Sequence, residues 1–253
     1  MVTKVEKKNS GIRIFLTSLL IVVIAVSVYK FIITQQNQHV FKIEPDSTSS
    51  IALYKLNSHN VILIRLKDNV ILMQKNSEEK IYPASLTKIM TAIVAIENLP
   101  NLKEEIKLTT STFQGLYEAD ASMTGFQPGE KVRAIDLLYG VMLPSGAESC
   151  IGLSDQIAGS EQEFVKMMNQ KGAALDMDNT HFENATGLHN QNHYTTVKDL
   201  AILLNYALQN DTFREIFTSS RYSTSPTNKH PGGITFYNTM FEELKNQNII
   251  GGE

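Results

Sequence analysis

The chain has 253 residues, of which 42% are hydrophobic and 19% are charged, and its formal net charge is −3 at pH 7. The length is sufficient for one large domain or two small ones, and the slightly acidic balance excludes the basic surface expected of a nucleic-acid-binding protein. The single cysteine, Cys150, cannot form an intramolecular disulfide, so cysteine usage is compatible with an exported or an intracellular protein.

A basic segment followed by an apolar run opens the chain. Residues 1–13 carry four basic side chains and one acidic side chain, and no charge follows from Ile14 to Tyr29. A helix that spans a bilayer needs about 20 residues, and its positive flank stays in the cytoplasm. We therefore predict a cytoplasmic segment at 1–13, a transmembrane anchor at 14–34 and an extracytoplasmic remainder, which is a single-pass protein of the cell membrane. No small-x-small cleavage site follows the run, which favours an anchor over a cleaved signal peptide.

The polar stretch at 35–50 is rich in Ser and Thr and predicts a tether between the membrane and a folded domain. We predict this domain over 51–253. Its first elements are two short β-branched runs, 61–66 and 70–74, which are separated by the turn residues Lys-Asp-Asn. This pattern is typical of a β-hairpin.

A helix is predicted to begin near Ser85, because Pro83 disfavours helix upstream of itself, and to end at Asn98. Apolar residues from Leu86 onward occur on nearly all sides of this helix, which indicates that it is buried. Ser85 and Lys88 are three residues apart, so they share one helix face with Cβ atoms about 5–6 Å apart. An unpaired buried amine is favoured in its neutral form, and a neutral amine can accept a proton from a serine hydroxyl.

The S-x-x-K pattern is a weak signal by itself, because it occurs three times in this chain. The other two pairs are Ser27/Lys30, inside the apolar N-terminal run, and Ser77/Lys80, in a polar stretch. Only Ser85 is expected to open a buried helix, and the interpretation of this pair depends on further motifs.

Downstream of this helix the patterns are mainly helical. We predict a turn at 127–130, an apolar helix at 134–142, and two helices that begin with capping boxes at Ser160 and Thr196. These two helices should reach about Leu175 and Gln209. Strands followed by many helices predict an α+β fold, in which helices pack on an antiparallel sheet.

Four segments of the chain, in order, resemble motifs of the serine D-alanyl-D-alanine carboxypeptidases, the low-molecular-weight penicillin-binding proteins (peptidase S11-like). The segments are Tyr-Pro-Ala-Ser-Leu-Thr-Lys-Ile-Met-Thr at 82–91, the stretch at 137–146, Asn-Ala-Thr-Gly-Leu-His at 184–189, and 193–196 with 199–201. The resemblance extends from about residue 62 to the C-terminus. It implies a β-lactamase/transpeptidase-like domain in which Ser85 is the nucleophile, Lys88 is the general base and Ser145 is a proton relay. It implies no cofactor and no metal.

The chain departs from the family pattern at two places. Ala147 stands where the family has an asparagine that contacts the substrate and the lysine, and an alanine methyl cannot form hydrogen bonds. Glu148 is offset by one residue, so the role is not carried over to it. The chain also stops after Gly251-Gly252-Glu253, before the Lys-Thr-Gly strand that in the family binds the substrate carboxylate. We therefore expect a truncated family member or a fragment that lacks the C-terminal strands of the sheet.

The pair His189 and His193 has the spacing H-x-x-x-H, which could bind zinc on a helix. However, Gly187 precedes the pair, Asn-Gln-Asn separates it, and the glutamate of H-E-x-x-H is missing. These features are typical of a loop, so we predict no metal site there. Cys150 is expected to pack inside an apolar helix.

The resemblance implies a membrane-anchored carboxypeptidase that removes the terminal D-alanine from peptidoglycan stem peptides through an acyl-enzyme, with β-lactam antibiotics as inhibitors. The alternatives are a catalytically inactive penicillin-binding or wall-binding remnant, a β-lactamase-like hydrolase and a zinc D,D-peptidase. The predicted anchor and the residues of the first motif disfavour a β-lactamase. The sequence offers no metal cluster for a zinc enzyme. The sequence leaves three questions open: whether the substrate ends in D-alanine or D-lactate, whether the protein serves wall maturation or glycopeptide resistance, and which oligomeric state it adopts.

Overall fold

The computed structural model of the protein describes residues 42–43 and 56–243. The predicted cytoplasmic segment at 1–13 and the predicted anchor at 14–34 lie outside the described residues, as does most of the predicted tether. Within the described residues, no helix combines the length and the apolar character needed to cross a bilayer.

The described residues form seven α-helices and seven short strands. The helices are α1 (Thr87–Asn98), α2 (Ala134–Met142), α3 (Ala147–Ala158), α4 (Glu161–Ala174), α5 (Val197–Ala207), α6 (Asp211–Phe217) and α7 (Thr239–Glu243). The strands are β1 (Lys42–Ile43), β2 (Val61–Arg65), β3 (Val70–Lys75), β4 (Glu105–Lys107), β5 (Lys131–Arg133), β6 (Arg221–Ser223) and β7 (Thr235–Tyr237).

The predicted hairpin is confirmed. Strands β2 and β3 pair antiparallel, with Val61 opposite Lys75 and Arg65 opposite Val70. The turn between them places Asn69 at φ 57°, in the left-handed region that asparagine tolerates better than most residues. Strand β1 pairs parallel with the other edge of β3, so the sheet of described strands has the order β1-β3-β2.

Helix α1 lies at the centre of the helical layer. Its residues 87–95 are all buried, and Met90, Ala92 and Ile93 have no exposed surface. The helix packs against α2, α3, α4, α5 and α6, as expected for a helix that is apolar on nearly all sides. Helix α5 packs on strand β2, so the predicted arrangement of helices on an antiparallel sheet is confirmed.

Both predicted capping boxes define a helix start. The Ser160 side chain accepts a hydrogen bond from the Glu163 backbone N–H at 3.2 Å, and the Thr196 side chain accepts one from Asp199 at 3.0 Å. Each cap satisfies a backbone donor that has no partner inside the helix. Helix α4 ends at Ala174, as predicted, whereas α5 ends two residues before Gln209.

The start of the helix around Ser85 differs from the prediction in one respect. A 3₁₀ turn occupies Ala84–Leu86, and the α-helix begins at Thr87. Ala84 has φ 48°, a left-handed conformation that costs an alanine about 1–2 kcal/mol. The surroundings of Ala84 therefore have to stabilise it, and those surroundings form part of the candidate site.

Candidate active site

The structure brings Ser85, Lys88 and Ser145 together. The Nζ atom of Lys88 lies 3.3 Å from Oγ of Ser85, and the Ser145 hydroxyl donates a hydrogen bond to the same Oγ at 3.0 Å. Ser85 and Lys88 are neighbours in sequence, but Ser145 is 60 residues away. The predicted juxtaposition of the three side chains is therefore present, while their catalytic roles stay predictions.

The other S-x-x-K pair among the described residues is arranged differently. The Ser77 hydroxyl donates to Oε1 of Gln74 at 3.0 Å, and Nζ of Lys80 lies 3.9 Å from the centre of the Tyr194 ring. Each member of this pair has a partner of its own, so the shared spacing does not by itself create the arrangement seen at Ser85.

The amine of Lys88 is buried and contacts uncharged oxygen atoms. Only 3% of Lys88 is exposed, and besides Ser85 its Nζ contacts the Thr186 carbonyl oxygen at 2.7 Å. Among the ion pairs of the described residues, none includes Lys88. The amine lies within reach of the Ser85 hydroxyl, with which it can exchange a proton.

Ser145 occupies a tight turn between α2 and α3. Its φ of 61° is in the left-handed region, and the adjacent Gly146 donates a backbone hydrogen bond to the Gly140 carbonyl at 2.8 Å. A Cβ atom on Gly146 would lie 2.2 Å from the methyl group of Thr124. Only glycine therefore fits at position 146 in this packing, and the close contact holds the turn that carries Ser145.

The segment 184–188, which carries the third family-like motif, is held by the side chain of Asn184. Its Oδ1 accepts hydrogen bonds from the backbone N–H groups of Thr186 and Gly187 at 3.2 and 2.7 Å, and its Nδ2 donates to the Leu188 carbonyl at 2.8 Å. The Ala185 carbonyl accepts a hydrogen bond from the Thr91 hydroxyl at 2.7 Å. The carbonyls of residues 185 and 186 thus both face α1.

Gly187 makes the closest approach between this segment and the Ser85 turn. It has φ 82°, and a Cβ atom there would lie 2.0 Å from the Ala84 carbonyl oxygen. Glycine is required at this position for two reasons, its conformation and its contact. The contact supports the left-handed Ala84 just before the nucleophile position.

Ala147 and Glu148 open helix α3 behind Ser145. Ala147 is buried, and its N–H donates to the Ser122 carbonyl at 2.8 Å. Oε1 of the fully buried Glu148 accepts hydrogen bonds from the hydroxyl and N–H of Thr124 and from the N–H of Gly125. Burial raises the pKa of the Glu148 carboxyl above its ordinary value. The carboxyl of Glu148 therefore holds the segment that packs on Gly146.

The two histidines of the H-x-x-x-H pattern have separate environments. His193 is buried, its Nδ1 accepts a hydrogen bond from the Glu183 N–H at 3.3 Å, and its Nε2 lies 2.8 Å from the Thr87 hydroxyl oxygen. These partners fit a neutral ring that carries its proton on Nε2. His189 instead packs edge-to-face against Tyr82, with ring centres 4.6 Å apart. The described residues contain no group of three or more metal-ligating side chains.

Sequence reasoning missed the Thr186 carbonyl as a partner of Lys88. The contact uses a backbone atom, so the residue type at 186 carries no direct signal for it. The only indirect signal is Gly187, because a glycine inside a polar loop often marks a close approach of two backbones.

The chemistry available to this arrangement is acyl transfer. A serine oxygen lies beside a buried amine that can remove its proton, and a second hydroxyl lies on the same oxygen and can pass a proton onward. The Lys88 amine and the Ser145 hydroxyl already lie beside the Ser85 oxygen, so no movement of the backbone is needed to bring them there.

The known proteins to which this chain is similar share one description. Residues 46–249 match the family model described as D-alanyl-D-alanine carboxypeptidase, peptidase S11. The chain is 35% identical over 144 residues to D-alanyl-D-alanine carboxypeptidase DacF of Bacillus subtilis, which covers 57% of this chain and 37% of that protein. It is 36% identical over 153 residues to DacC of Escherichia coli, which covers 56% of this chain and 37% of that protein. The matched region thus spans little more than a third of the length of these relatives.

Solved structures of the same kind share the fold. A variant of the Streptomyces K15 DD-transpeptidase superposes with a TM-score of 0.71 at 27% identity, covering 78% of this chain and 79% of that chain. Penicillin-binding protein 5 from Haemophilus influenzae superposes with a TM-score of 0.65 at 25% identity, covering 73% of this chain and 53% of that chain. The described domain therefore has the transpeptidase/β-lactamase-like fold that the sequence predicted.

Substitution of Gly187 by alanine should displace the turn that carries Ser85. The new methyl group would overlap the Ala84 carbonyl, so we expect the reaction of Ser85 with a serine-directed phosphonylating probe to slow by about 10²-fold, as for other misplaced reacting groups. Gly159→Ala is the matched control, because Gly159 has a similar φ of 79° but no atom within 4 Å of the added Cβ. Equal slowing in both variants would show that backbone strain, rather than the contact with Ala84, explains the effect.

Acidification should destabilise the protein through His193. Burial lowers the pKa of His193 from 6.5 to about 4, so below pH 6.5 the unfolded chain binds a proton that the folded chain does not bind. The folded state therefore loses stability as the pH falls from 6.5 towards 4. Thermal unfolding across this range should show a flatter pH dependence for His193→Gln than for the natural chain, even if the variant has a lower melting temperature throughout. An identical slope in both would contradict a buried neutral His193.

Proposed function

Because the chain belongs to the D-alanyl-D-alanine carboxypeptidase family, we propose that it is a serine D,D-peptidase that removes the terminal D-alanine from peptidoglycan stem peptides. The observation that carries this proposal is the convergence of Lys88 and Ser145 on the Oγ atom of Ser85, at 3.3 and 3.0 Å. The peptide substrate, the reaction and the roles of the three residues are all part of the proposal.

In the proposed mechanism, Oγ of Ser85 attacks the carbonyl carbon of the penultimate D-alanine while Lys88 takes the hydroxyl proton. The Ser145 hydroxyl then passes its proton to the nitrogen of the leaving D-alanine as the peptide bond breaks, and the proton held by Lys88 replaces it. This leaves the shortened peptide as an ester on Ser85 and Lys88 free to act again. Water attacks that ester while Lys88 accepts a proton from the water, and the same proton returns to the Ser85 oxygen as the peptide is released.

We also propose β-lactam antibiotics as ligands of the site, because they would react through the same serine chemistry. The strained lactam amide would acylate Ser85 in place of the D-alanyl peptide bond. A β-lactamase would hydrolyse this ester quickly and a penicillin-binding protein slowly, so the lifetime of the ester distinguishes the two kinds of enzyme.

A transpeptidase is the second candidate, because the K15 protein that shares the fold is described as a DD-transpeptidase. Both reactions pass through the same ester on Ser85, and they differ in whether water or an amine accepts the peptide. An open, wet site favours hydrolysis, whereas a site that binds an amine acceptor favours transfer.

The test is release of D-alanine from a pentapeptide that ends in D-alanyl-D-alanine. Ser85→Ala should abolish release, and Ser145→Ala should lower it by about 10²–10⁴-fold, the usual contribution of a proton-transfer group. Ser77→Ala is the control, because Ser77 belongs to the S-x-x-K pair that is not assembled. Addition of glycine as an amine acceptor separates hydrolysis from transfer by the appearance of a glycine-capped peptide. D-alanine release that survives Ser85→Ala would refute the proposal.

We further propose that residues 14–34 anchor the protein in the cell membrane with the peptidase domain outside. This rests on the sequence alone: an apolar run of bilayer-spanning length, in which Lys30 is the single charged residue, preceded by four basic side chains at 1–13. The location fits the proposed substrate, since peptidoglycan lies outside the membrane.

Limited proteolysis of cells that retain an intact membrane tests this orientation. External protease should release the domain and leave an epitope tag on the N-terminus protected. A chain that is protected along its whole length would contradict the orientation, and recovery of the untreated protein in the soluble fraction would contradict the anchor.

A further inference from the structure

We propose that Glu161 is a positioning residue for Lys88, which it serves by fixing the peptide segment whose carbonyl binds the lysine amine. The proposal rests on the proposed function of Lys88 as the base that activates Ser85. It assigns a task to a carboxyl group that the mechanism above does not use.

The link between the two side chains runs through the backbone of segment 184–188. Oε1 of Glu161, the first residue of α4, accepts a hydrogen bond from the Ala185 N–H at 2.9 Å. The Ala185 carbonyl is held on its other side by the Thr91 hydroxyl at 2.7 Å, and the next carbonyl, that of Thr186, binds Nζ of Lys88 at 2.7 Å. Residue 185 is thus clamped at both its N–H and its C=O, immediately before the group that orients the amine.

The carboxyl of Glu161 has no other evident task. Both Glu161 and Glu163 lie in the first turn of α4, where negative charge stabilises a helix. Glu163 is exposed and pairs with Lys166 at 2.6 Å, whereas no ion pair of the described residues includes Glu161. Stabilisation of the helix terminus therefore applies to both acids, and the bond to Ala185 distinguishes Glu161.

The carboxyl also faces a cavity of about 460 Å³ that is lined by Asp155, Asn184 and Thr186 among others. Burial raises the pKa of Glu161, and the nearby Asp155 on α3 raises it further. Asp155 is the charged group that faces Glu161 across this cavity, and burial raises its pKa as well. When Glu161 is ionised, its bond to the Ala185 N–H is charge-assisted, and protonation replaces that bond with a weaker neutral one.

Loss of this hold should act on Lys88 rather than on substrate binding. A Thr186 carbonyl that moves away leaves the amine free to rotate from Ser85, and a displacement of about 1 Å in a reacting group can cost about 10²-fold in rate. Glu161 begins α4, whereas Ser85, Lys88 and Ser145 lie on other segments, and the hydrogen bonds that link its carboxyl to Lys88 are those of residues 185 and 186.

The experiment compares the full chain with Glu161→Ala, Glu161→Gln and, as the matched control, Glu163→Gln. The first readout needs no activity: backbone amide hydrogen exchange of residues 184–188, measured by mass spectrometry. Glu161→Ala should raise exchange in this segment by about tenfold relative to the interior of α4, while Glu161→Gln, which keeps an oxygen acceptor, should restore most of the protection. Glu163→Gln should match the natural chain.

The second readout is the rate at which Ser85 reacts with a small fluorophosphonate, a probe that requires no peptide recognition. Glu161→Ala should lower the maximal rate by about 10-fold or more with little change in the probe concentration at half-maximal rate, and Glu161→Gln should recover most of it. Glutamine does not take up a proton as the pH falls, whereas Glu161 does. The rate in Glu161→Gln should therefore fall less steeply with decreasing pH than the rate in the natural chain.

The outcomes separate this inference from the proposed function. If the natural chain reacts with fluorophosphonate but releases no D-alanine, the proposed substrate is wrong and the role of Glu161 still stands on both readouts. If the chain does not react with the probe at all, Ser85 is not an activated nucleophile and both proposals fail. Unchanged exchange at 184–188 in Glu161→Ala, or increased exchange with an unchanged rate, would overturn the positioning role.

Discussion

The Lys88 amine lies inside the domain and, among the described residues, contacts two uncharged oxygen atoms, those of Ser85 and of the Thr186 carbonyl. The hydrogen atoms of a buried amine have to be accepted by well-placed oxygens, because a buried polar group without a partner is costly. The rest of the candidate site can be understood as the means of placing those oxygens, because each of them lies on a segment held by its own network of contacts.

Three of these segments adopt backbone conformations that are unfavourable for most residues. Ala84 has φ 48° and Ser145 has φ 61°, and Gly187 has φ 82°. Conformations of this kind cost on the order of 1–3 kcal/mol each for residues other than glycine. They are stabilised by close packing of Gly187 on Ala84 and of Gly146 on Thr124. Strain at the site is therefore balanced by contacts that allow little movement, which is what preorganised acyl-transfer chemistry requires.

A large part of this organisation could be predicted from the sequence. The hairpin at 61–75 and the two capping boxes depend on local patterns, and the spacing of Ser85 and Lys88 is set by helix geometry. The position of Ser145 beside Ser85 can be predicted only from the resemblance to a family, since no local rule relates residues 60 positions apart. The contact of Lys88 with the Thr186 carbonyl and that of Glu161 with the Ala185 N–H could not be predicted, because hydrogen bonds to backbone groups leave no mark on residue type.

The short strands β4 to β7 could also not be predicted from the sequence. Strands β4 to β7 have three residues each, which is too short for an alternating pattern to be distinguished from chance. Their existence depends on pairing partners distant in the chain, such as Glu105 with Arg133. Likewise, the left-handed Ala84 contradicts the preference of alanine and is explained only by its contact with Gly187.

The most direct test of the central claim is covalent labelling of the chain by a β-lactam, followed by intact-mass measurement and peptide mapping. The account predicts a single long-lived adduct, with the mass of the opened lactam, on the peptide that contains Ser85. It also predicts that Lys88→Ala strongly slows formation of the adduct. An adduct on another residue, or an undiminished rate in Lys88→Ala, would contradict the claim that a buried lysine amine activates Ser85.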